Sequence, residues 1–593
     1  MFVSSGDGVM GMCRELERSS AVESSWIRPL GGRWKWSGFA GFRSQHRVEH
    51  WCRLRGCLLI ASCLIASASS VVAVSQEPSV DCPKIDHVEY PVVVVDNMPD
   101  AGDAHDYDIN NHVGDRRDAA DVEVLGDRCT VNQNRATGDA EKKTNVVFIL
   151  TDNQGAWTLG CYGNPDIRTP HIDLLAKQGV RFTRAMSSNP VCSPTRATYL
   201  TGLIPSQHGL HSFLDRKYMI GEQAYNTLDE FTSLGEILSD EGYICGLSGK
   251  WHLGANLKPS EGFSFWITKP DGSTKEFYDQ PIIENGAIYQ EPMYTTDLWT
   301  KKGVEFIERN HDRPFFLYLA YNGPYSLGSL MLNRSRNRHA KAYEGVHFES
   351  FPVDQMHPWQ HHNQSFHNQQ VAMERVAAET SGVDDGVGEI MQVLKRLGID
   401  EQTLVVYAAD QGWMGGQNGI WGMGDHTRPI GAHNLMMQVP LLFRQPGKVQ
   451  ANTTIDHLVS NYDFLPSVLG HLGLTDRMAE EPKSPGRDFS PFLVGEKTEW
   501  SEEVFYEMES CRSIRTDRWK FVSRFPNGPQ ELYDLAADPR ERFNLFGQPQ
   551  HQVQSNELAK RLDTFFNRYA DPKYDVWKGG ESKARRLVDP SSR

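Results

Sequence analysis

Two aspartates, each followed by a side-chain amide, stand directly after short apolar runs. Asp152 and Asn153 follow one run, and Asp410 and Gln411 follow another. Because ligands in open α/β sheets bind beyond the carboxyl ends of the strands, these side chains can converge on one site. Carboxylate and amide oxygens without clustered thiolates suit Ca²⁺ or Mg²⁺ better than Zn²⁺. The alternative for each aspartate is a helix cap or turn residue.

A cysteine lies at the predicted start of a helix. Pro194 favours a first helical turn and Gly202 can end the helix, which places Cys192 at its N-terminus. Free N–H groups stabilise anions there, and Arg196 adds a planar donor one turn later. The spacing therefore indicates an anion pocket around one cysteine. The alternative is a structural cysteine beside a solvated arginine.

A third motif contains a lysine and a histidine that are separated by one residue. Lys250 and His252 lie in a segment predicted to be a strand or extended, so their side chains face the same side. Gly249 and Gly254 allow another backbone to approach closely. Such a pair can hold an anion and transfer a proton, or it can be an ordinary surface pair.

From residue 145 onwards, apolar β-branched runs alternate with helical stretches. Strands are predicted at 146–150, 315–319 and 403–407, and helices at 170–178, 234–241, 296–309 and 371–397. Buried strands that alternate with helices indicate an α/β sheet covered on both faces. No repeat of about 20–50 residues is present, which excludes solenoids and propellers.

Composition and charge exclude several functions. The chain has 593 residues and a net charge of −15, which argues against a dedicated nucleic-acid binder. Residues 77–140 hold fifteen acidic and five basic side chains, as expected of a linker or appendage. The ten cysteines form no CxxC pair, which indicates neither a zinc ribbon nor a disulfide scaffold. Cys82 and Cys129 either pair in an oxidising compartment or are free thiols.

The only long stretch without charge, 56–75, indicates export. It follows several arginines and ends in small residues, which is typical of a secretory signal peptide. An uncleaved membrane anchor is the alternative, because the stretch is about long enough to span a bilayer. Residues 60–63 also resemble a lipoprotein cleavage box. We expect a periplasmic or secreted protein, associated with a membrane only if this stretch is retained.

Together these motifs resemble the type I, formylglycine-dependent sulfatases of the alkaline-phosphatase superfamily, with an arylsulfatase A-like pattern. The likeness is carried in order by 145–155, 192–202, 249–254 and the strand before Asp410. The stretch 514–539 is similar to the small closing domain of that family. The resemblance implies an α/β fold whose large mixed sheet is sandwiched by helices, with a small C-terminal α+β domain.

The resemblance also implies a mechanism. Cys192 would be oxidised by a formylglycine-generating maturation enzyme to 3-oxoalanine (formylglycine), whose hydrated form is the nucleophile. One divalent cation, Ca²⁺ in this family, would be held by the modified Cys192 and by Asp152, Asn153, Asp410 and Gln411. Sulfate binding and proton transfer would involve Arg196, Lys250, His252 and Tyr325.

Four positions depart from the family pattern. Asn153 and Gln411 stand where the family has Asp and either Asn or His, and each keeps an oxygen ligand. Tyr325 replaces a histidine that protonates the leaving alcohol, which a phenol with an ordinary pKa of about 10 can still do. Met423 replaces a sulfate-binding lysine.

Several further residues are candidates for substrate binding. The positive charge of the lysine that Met423 replaces is supplied by His426, Arg428 or His433, or these three are ordinary loop residues. His211, after the cysteine helix, is another candidate. The irregular segment 325–370, rich in His, Asn and aromatic residues, is either a specificity loop that stacks on sugars or a solvent loop.

We divide the chain into four parts on this basis. They are an N-terminal extension with signal peptide (1–76), an acidic linker or appendage (77–140), a catalytic domain (141–475) and a small C-terminal subdomain and tail (476–593). The favoured function is hydrolysis of a sulfate ester, on a carbohydrate or sulfated polysaccharide. The alternatives are a phosphoryl or phosphonate monoester hydrolase on the same scaffold and a non-catalytic sulfated-glycan binder.

Overall fold

The computed structural model describes residues 142–588. The predicted signal peptide or anchor, the acidic segment 77–140 and the possible Cys82–Cys129 pair lie outside the described residues. Within 142–588, no helix combines the length and the apolar character needed to cross a membrane.

The strands of the described residues form two sheets. They are β1 Asn145–Asp152, β2 Val180–Met186, β3 Ile244–Gly249, β4 Phe263–Thr268, β5 Gln280–Glu284, β6 Ala287–Glu291, β7 Phe315–Pro324, β8 Thr403–Ala409, β9 Leu441–Arg444, β10 Thr453–Ser460, β11 Glu503–Met508, β12 Cys511–Thr516, β13 Trp519–Arg524 and β14 Glu531–Asp534. Ten strands form a mixed sheet in the order β10-β2-β9-β8-β1-β7-β3-β4-β5-β6, and the last four form an antiparallel sheet.

The α-helices of the described residues connect and cover these strands. They are α1 Pro170–Lys177, α2 Cys192–Thr201, α3 Pro205–His208, α4 Leu234–Asp240, α5 Thr295–Asn310, α6 Ala340–Tyr343, α7 Gln370–Arg396, α8 Asn434–Met437, α9 Phe464–Leu472, α10 Ser490–Leu493 and α11 Gln552–Tyr569. Short 3-10 turns lie between several of them.

The strands and helices predicted from the sequence are confirmed. The three predicted strands are β1, β7 and β8, and β1 lies between the other two and parallel to both. The four predicted helical stretches are α1, α4, α5 and α7, with ends that agree within one residue. The predicted mixed sheet with a separate small C-terminal sheet is likewise observed.

Both faces of the large sheet are buried, as alternation along β1 illustrates. Val146, Phe148 and Leu150 belong to one apolar core, which α2, α4 and α9 cover. Val147 and Ile149 belong to the core on the opposite face, under α1, α5 and α7. Because side chains alternate across a strand, a strand buried on both faces must be apolar throughout.

The small sheet has its own apolar contacts. Ile514 and Phe521 from its strands pack with Leu558, Leu562 and Phe566 of α11. These side chains on α11 recur every four residues, so they share one face of the helix.

The parallel strands bring their carboxyl ends to one edge, and β3 ends there at Gly249. This glycine has φ of 125°, and a Cβ atom would lie 1.9 Å from the carbonyl oxygen of Ala320. The amide of Lys250 donates to the same oxygen at 2.8 Å, and His252 has φ of 60°. The predicted continuation of an extended segment through His252 is therefore wrong, since the chain turns after Gly249.

The aromatic core beside β1 gives a test of the sheet packing. Phe148 is fully buried and its ring lies 4.5–5.4 Å from those of Phe464, Tyr199 and Tyr318. We expect Phe148→Ala to lower the free energy of unfolding by about 3–5 kcal/mol, because it leaves a cavity. Chemical denaturation measures this loss. Val553→Ala, at a site that is 82% exposed, should change it by less than about 0.5 kcal/mol; equal effects of the two variants would contradict the packing.

Candidate active site

Two aspartates and a cysteine meet at the carboxyl edge of the sheet. Asp152 ends β1 and Asp410 directly follows β8, and the neighbouring residues Thr151 and Ala409 are paired across the two strands. Asp152, Asp410 and Cys192 each offer a ligand atom, and these three atoms lie within 4.8 Å of one another. All three residues are buried. The convergence expected from strand order is therefore observed.

Cys192 is the first residue of α2, as the sequence predicts. The helix ends at Gly202, whose φ of 70° is the left-handed conformation that glycine adopts readily. The Cys192 thiol donates to Asp152 Oδ1 at 3.4 Å and accepts from Gln411 Nε2 at 3.3 Å. Burial and the Asp152 carboxylate raise the pKa of Cys192 well above its ordinary value. The unmodified thiol is consequently a poor nucleophile.

Arg196 and Lys250 neutralise the two carboxylates. Arg196 donates from Nη2 to Asp410 Oδ2 at 2.9 Å and to Asp152 Oδ2 at 3.3 Å. Its Nη1 donates to the Lys250 carbonyl at 2.6 Å, and Lys250 Nζ is hydrogen-bonded to Asp152 Oδ2. Burial and the nearby Asp152 raise the pKa of Asp410 to about 6. Two acids and two bases thus form a buried cluster with no net charge when all four are ionised.

The two amides border this cluster. Asn153 has φ of 55°, and its backbone N–H donates to Asp410 Oδ1 at 3.1 Å. Gln411 Nε2 donates to Asn153 Oδ1, and Thr195 donates to Gln411 Oε1 at 3.3 Å. Asn153 Nδ2 is buried and has no hydrogen-bond partner among the described residues.

His252, two residues after Lys250, is buried and can accept a hydrogen bond. Its Nε2 is 3.1 Å from the carbonyl oxygen of Leu214, which places the proton of a neutral ring on that nitrogen. The opposite nitrogen, Nδ1, is buried without a hydrogen-bond partner among the described residues. Burial, Lys250 and Arg196 hold the pKa of His252 well below its ordinary value. The ring is therefore neutral at pH 7.

Tyr325 lies beside Asp152 and Lys250. Its backbone N–H donates to the Asp152 carbonyl at 3.2 Å, and Lys250 Nζ lies 5.4 Å from the centre of its ring. Burial and the Asp152 carboxylate raise the pKa of Tyr325 well above its ordinary value. The phenol therefore keeps its proton and can act only as a donor at neutral pH.

Met423 lies against the Gln411 amide, whereas the basic side chains of the loop that follows Met423 lie farther out. Gln411 Nε2 is 3.5 Å from Met423 Sδ. His426 Nδ1 is 3.3 Å from the Met423 backbone nitrogen, and Arg428 donates to the carbonyls of Asp425 and Thr427. His426 and Arg428 thus border the loop beyond Met423, and the structure does not bring them to Cys192. His433, the third candidate, is buried in the same part of the chain, with its ring centre 6.3 Å from that of His357.

His211 lies apart from the cluster. It is fully buried, and its Nε2 is 2.9 Å from the carbonyl oxygen of Tyr574. The structure thus places this sequence-predicted residue against the C-terminal segment instead of beside Cys192.

Sequence reasoning missed three residues that shape the site. Thr195 orients the amide of Gln411, as described above, and its place inside the cysteine motif was the available signal. Lys269 is buried, and its Nζ donates to the Ser273 carbonyl at 2.8 Å. Gly272, which directly precedes Ser273, packs against His252 so closely that a Cβ atom on it would lie 2.0 Å from His252 Nε2. Nothing in the stretch 269–273 marks it as part of a site.

The irregular segment 325–370 contributes apolar packing beside the site. Phe348 and Phe351 are buried in a core with Trp413 and Trp421. The Trp421 indole donates to the Ser326 carbonyl at 3.1 Å. This packing joins the segment to the loop that follows Gln411.

A match to a family model identifies the family to which the chain belongs. The model described as Sulfatase matches residues 144–474, more than half of the chain. The chain belongs to the sulfatase family. A second model, described as N-sulphoglucosamine sulphohydrolase, C-terminal, matches residues 431–568. The predicted family and the predicted enzyme class, a sulfuric ester hydrolase, are confirmed.

Individual relatives agree with this membership. The ulvan-active sulfatase of Formosa agariphila is 27% identical over 72% of this chain and 81% of its own. An N-acetylglucosamine-6-O-sulfatase of Bacteroides thetaiotaomicron is 24% identical over 72% of this chain and 87% of its own. A structure solved with its substrate D-glucosamine-2-N,6-O-disulfate covers 72% of this chain and 98% of its own, with a TM-score of 0.57 and 22% identity. This likeness supports the predicted sulfatase fold.

The contact between Gly272 and His252 gives a test of the site. We expect Gly272→Ala to lower kcat/KM for 4-nitrophenyl sulfate at least tenfold, because even a displacement of about 1 Å of a positioned group is costly. Ser273→Ala, which trims the exposed neighbouring side chain, is the matched control and should retain wild-type kinetics. Wild-type activity in Gly272→Ala would show that His252 need not hold this position.

Proposed function

We propose that this sulfatase hydrolyses a sulfate ester on a carbohydrate, with formylglycine formed from Cys192. The observation that carries the proposal is the position of Cys192, at a helix N-terminus between Asp152 and the amide of Gln411, with Arg196 and Lys250 on the same carboxylate. A nucleophile at this position is surrounded by donors that can hold an anion.

The residues present fit a divalent cation. Asp152 and Asp410 supply carboxylate oxygens, Asn153 and Gln411 supply amide oxygens, and the side chain of residue 192 completes the set. These are hard oxygen donors, which Ca²⁺ prefers. The amide nitrogen of Gln411 points toward Asn153. Rotation of this amide, which exchanges its oxygen and nitrogen, would present the oxygen to the cation. The amide nitrogen could then donate a hydrogen bond to the Thr195 hydroxyl.

Charge also supports the cation. Asp152, Asp410, Arg196 and Lys250 cancel one another, so a bound Ca²⁺ would make the centre positive and attract a sulfate group. The ion would supply Lewis-acid polarisation of the sulfate oxygens. Asn153, where the family has a second aspartate, leaves this centre with more positive charge than an aspartate would.

Within this proposal, each protein group has a defined task. Formylglycine would supply a hydrated aldehyde as the nucleophile. Arg196 and Lys250 would hold that group and the sulfate by donating hydrogen bonds, and their fixed positions avoid reorganisation as charge develops.

Proton movement would involve His252 as a hydrogen-bond acceptor and Tyr325 as a proton donor. His252 is neutral, and its Nδ1 has no hydrogen-bond partner among the described residues, so it would accept a hydrogen bond from the reacting group. Its lowered pKa makes it a weak base. Tyr325 keeps its proton and can donate it to the departing alcohol oxygen. The replacement of the family histidine by tyrosine thus retains a donor but requires a more basic leaving group.

A carbohydrate substrate is supported by the names of relatives and by the site surroundings. Relatives include an ulvan-active sulfatase and an N-acetylglucosamine-6-O-sulfatase. The aromatic and histidine-rich segment 325–370 borders the site and suits contacts with sugars. No observation favours the phosphoryl or phosphonate hydrolase or the non-catalytic glycan binder over this proposal.

Maturation and export complete the proposal. Cys192 requires a formylglycine-generating enzyme, and the stretch 56–75 directs the protein to the periplasm or the medium.

Turnover and mass spectrometry test the nucleophile. In protein co-expressed with a maturation enzyme, we expect the peptide containing Cys192 to have the mass of formylglycine. The same protein should hydrolyse 4-nitrophenyl sulfate much faster than 4-nitrophenyl phosphate. Cys192→Ala should lower kcat by at least about 1000-fold, since it removes the nucleophile.

Cys161→Ala, which removes a thiol outside the cluster, is the matched control and should keep wild-type activity. A fully unmodified Cys192 in active protein would refute the nucleophile. Fully modified protein that binds sulfated glycans without turnover would instead support the non-catalytic alternative.

Thermal unfolding tests the cation independently of activity. We expect saturating Ca²⁺ to stabilise the wild type by about 3 kcal/mol at a concentration near 100 times Kd. Asp410→Asn should lose this increment, because it removes a charged ligand. The exposed Asp563→Asn should retain it. An equal response of both variants to Ca²⁺ would place the ion elsewhere.

A further inference from the structure

A row of histidines leads from the cluster to the protein surface. Gln411 Nε2 contacts both Cys192 Sγ and Met423 Sδ, and the Met423 backbone contacts His426. The ring of His426 lies 6.1 Å from that of His362, which lies 4.5 Å from that of His361. His426 is partly exposed, and the other two are exposed. We call His361, His362, His426 and Arg428 the histidine surface.

The histidine surface is held rigidly by backbone contacts. The amides of His361 and His362 both donate to the carbonyl of His426, at 2.9 and 3.1 Å. The Arg428 amide donates to the Trp359 carbonyl at 2.9 Å. Gln360, between the two histidine-bearing segments, exchanges hydrogen bonds of 2.8 and 2.9 Å with the backbone of Trp421. The imidazoles are therefore carried on a fixed scaffold, which lowers the entropy lost on binding.

The donors of this surface point to an anion. His426 Nδ1 lies 3.3 Å from the Met423 amide nitrogen and closer to the Asp425 carboxylate, so a protonated His426 donates from Nδ1 to Asp425 and carries its second proton on Nε2. Asp425 Oδ1 lies 2.8 Å from His426 Nδ1 and is the acid of this loop. Among residues 142–588, no carboxylate lies within ion-pair distance of His361, His362 or Arg428.

The electrostatic environment agrees with this arrangement. Burial, followed by His426, His361 and Arg428, lowers the pKa of His362. Protonation of His362 is thus disfavoured when the surface is empty, and the Asp425 carboxylate opposes this shift. An anion placed beside these groups would favour the protonated form of His362.

We propose that the histidine surface is a second anion subsite, which binds a sulfate or carboxylate on the sugar next to the one that bears the cleaved ester. This inference rests on the proposed carbohydrate sulfatase function and narrows its substrate class to glycans with more than one anionic group. Contacts run from Cys192 through Gln411 and Met423 to His426 and the exposed imidazoles, so an anion bound there would lie on the Met423 side of residue 192.

Binding of a polyanionic glycan tests the subsite directly. The probe is low-mass dextran sulfate, with neutral dextran of equal length for comparison, titrated calorimetrically into the full-length mature enzyme. His361→Gln/His362→Gln should weaken dextran sulfate binding about tenfold or more, because charge-assisted hydrogen bonds are lost. The rescue variant His361→Lys/His362→Lys should bind within about threefold of the wild type.

His347→Gln is the matched control, since His347 is an exposed histidine of the same segment outside the histidine surface. It should bind dextran sulfate as the wild type does. In addition, kcat and KM for 4-nitrophenyl sulfate should be unchanged in all three variants, whereas the inhibition constant of dextran sulfate should rise only in His361→Gln/His362→Gln. Unchanged kcat and KM together with a raised inhibition constant distinguish a subsite from a general structural role of the two histidines.

Two results would overturn the inference. One is equal binding of dextran sulfate by the wild type and His361→Gln/His362→Gln, and the other is equal binding of neutral dextran and dextran sulfate by the wild type. Failure of the proposed function is seen separately, as absence of sulfate-ester turnover in the mature wild type. Calorimetry still reports on the histidine surface in that case, because it requires no turnover.

Discussion

Four charged side chains, Asp152, Asp410, Arg196 and Lys250, are fully buried at the carboxyl edge of the large sheet. Removal of each ion from water costs several kcal/mol, so the cluster persists only while every charge has its partners. Arg196 meets this condition by donating to both carboxylates and to the Lys250 carbonyl. The strands and the helix that supply these groups must therefore meet in one register, and this constraint explains why distant segments converge.

That register follows from the parallel strands at the centre of the sheet. β1 lies between β7 and β8, so Asp152 and Asp410 emerge side by side although they lie 258 positions apart. Gly249 ends β3 at the same edge, and its left-handed φ turns Lys250 toward Asp152. A residue with a side chain at 249 would collide with β7. The position of Lys250 thus depends on a glycine as much as on its own charge.

Much of this arrangement could be predicted from the sequence, for physical reasons. Apolar runs of five residues identified β1, β7 and β8, and parallel strands end at one edge, so the meeting of Asp152 with Asp410 followed. The turn at His252 could not be predicted, because one left-handed residue leaves no periodic signal. The position of His211 against Tyr574 and the contact of Gly272 with His252 depend on tertiary packing between remote segments. For the same reason the hydrogen bond between Thr195 and Gln411 Oε1 has no signal in either motif.

The departures from the family pattern have a common electrostatic consequence. Asn153 removes a negative charge from the centre, and Met423 removes a positive charge from its wall, so the balance near residue 192 changes little. The basic side chains on that side, His426, His362 and Arg428, lie farther out, on two segments joined by backbone hydrogen bonds. Attraction between unit charges weakens with distance and with exposure to water. Groups at that distance act weakly on an anion at residue 192 and more strongly on an anion beside it, which is the physical basis of the proposed second anion subsite.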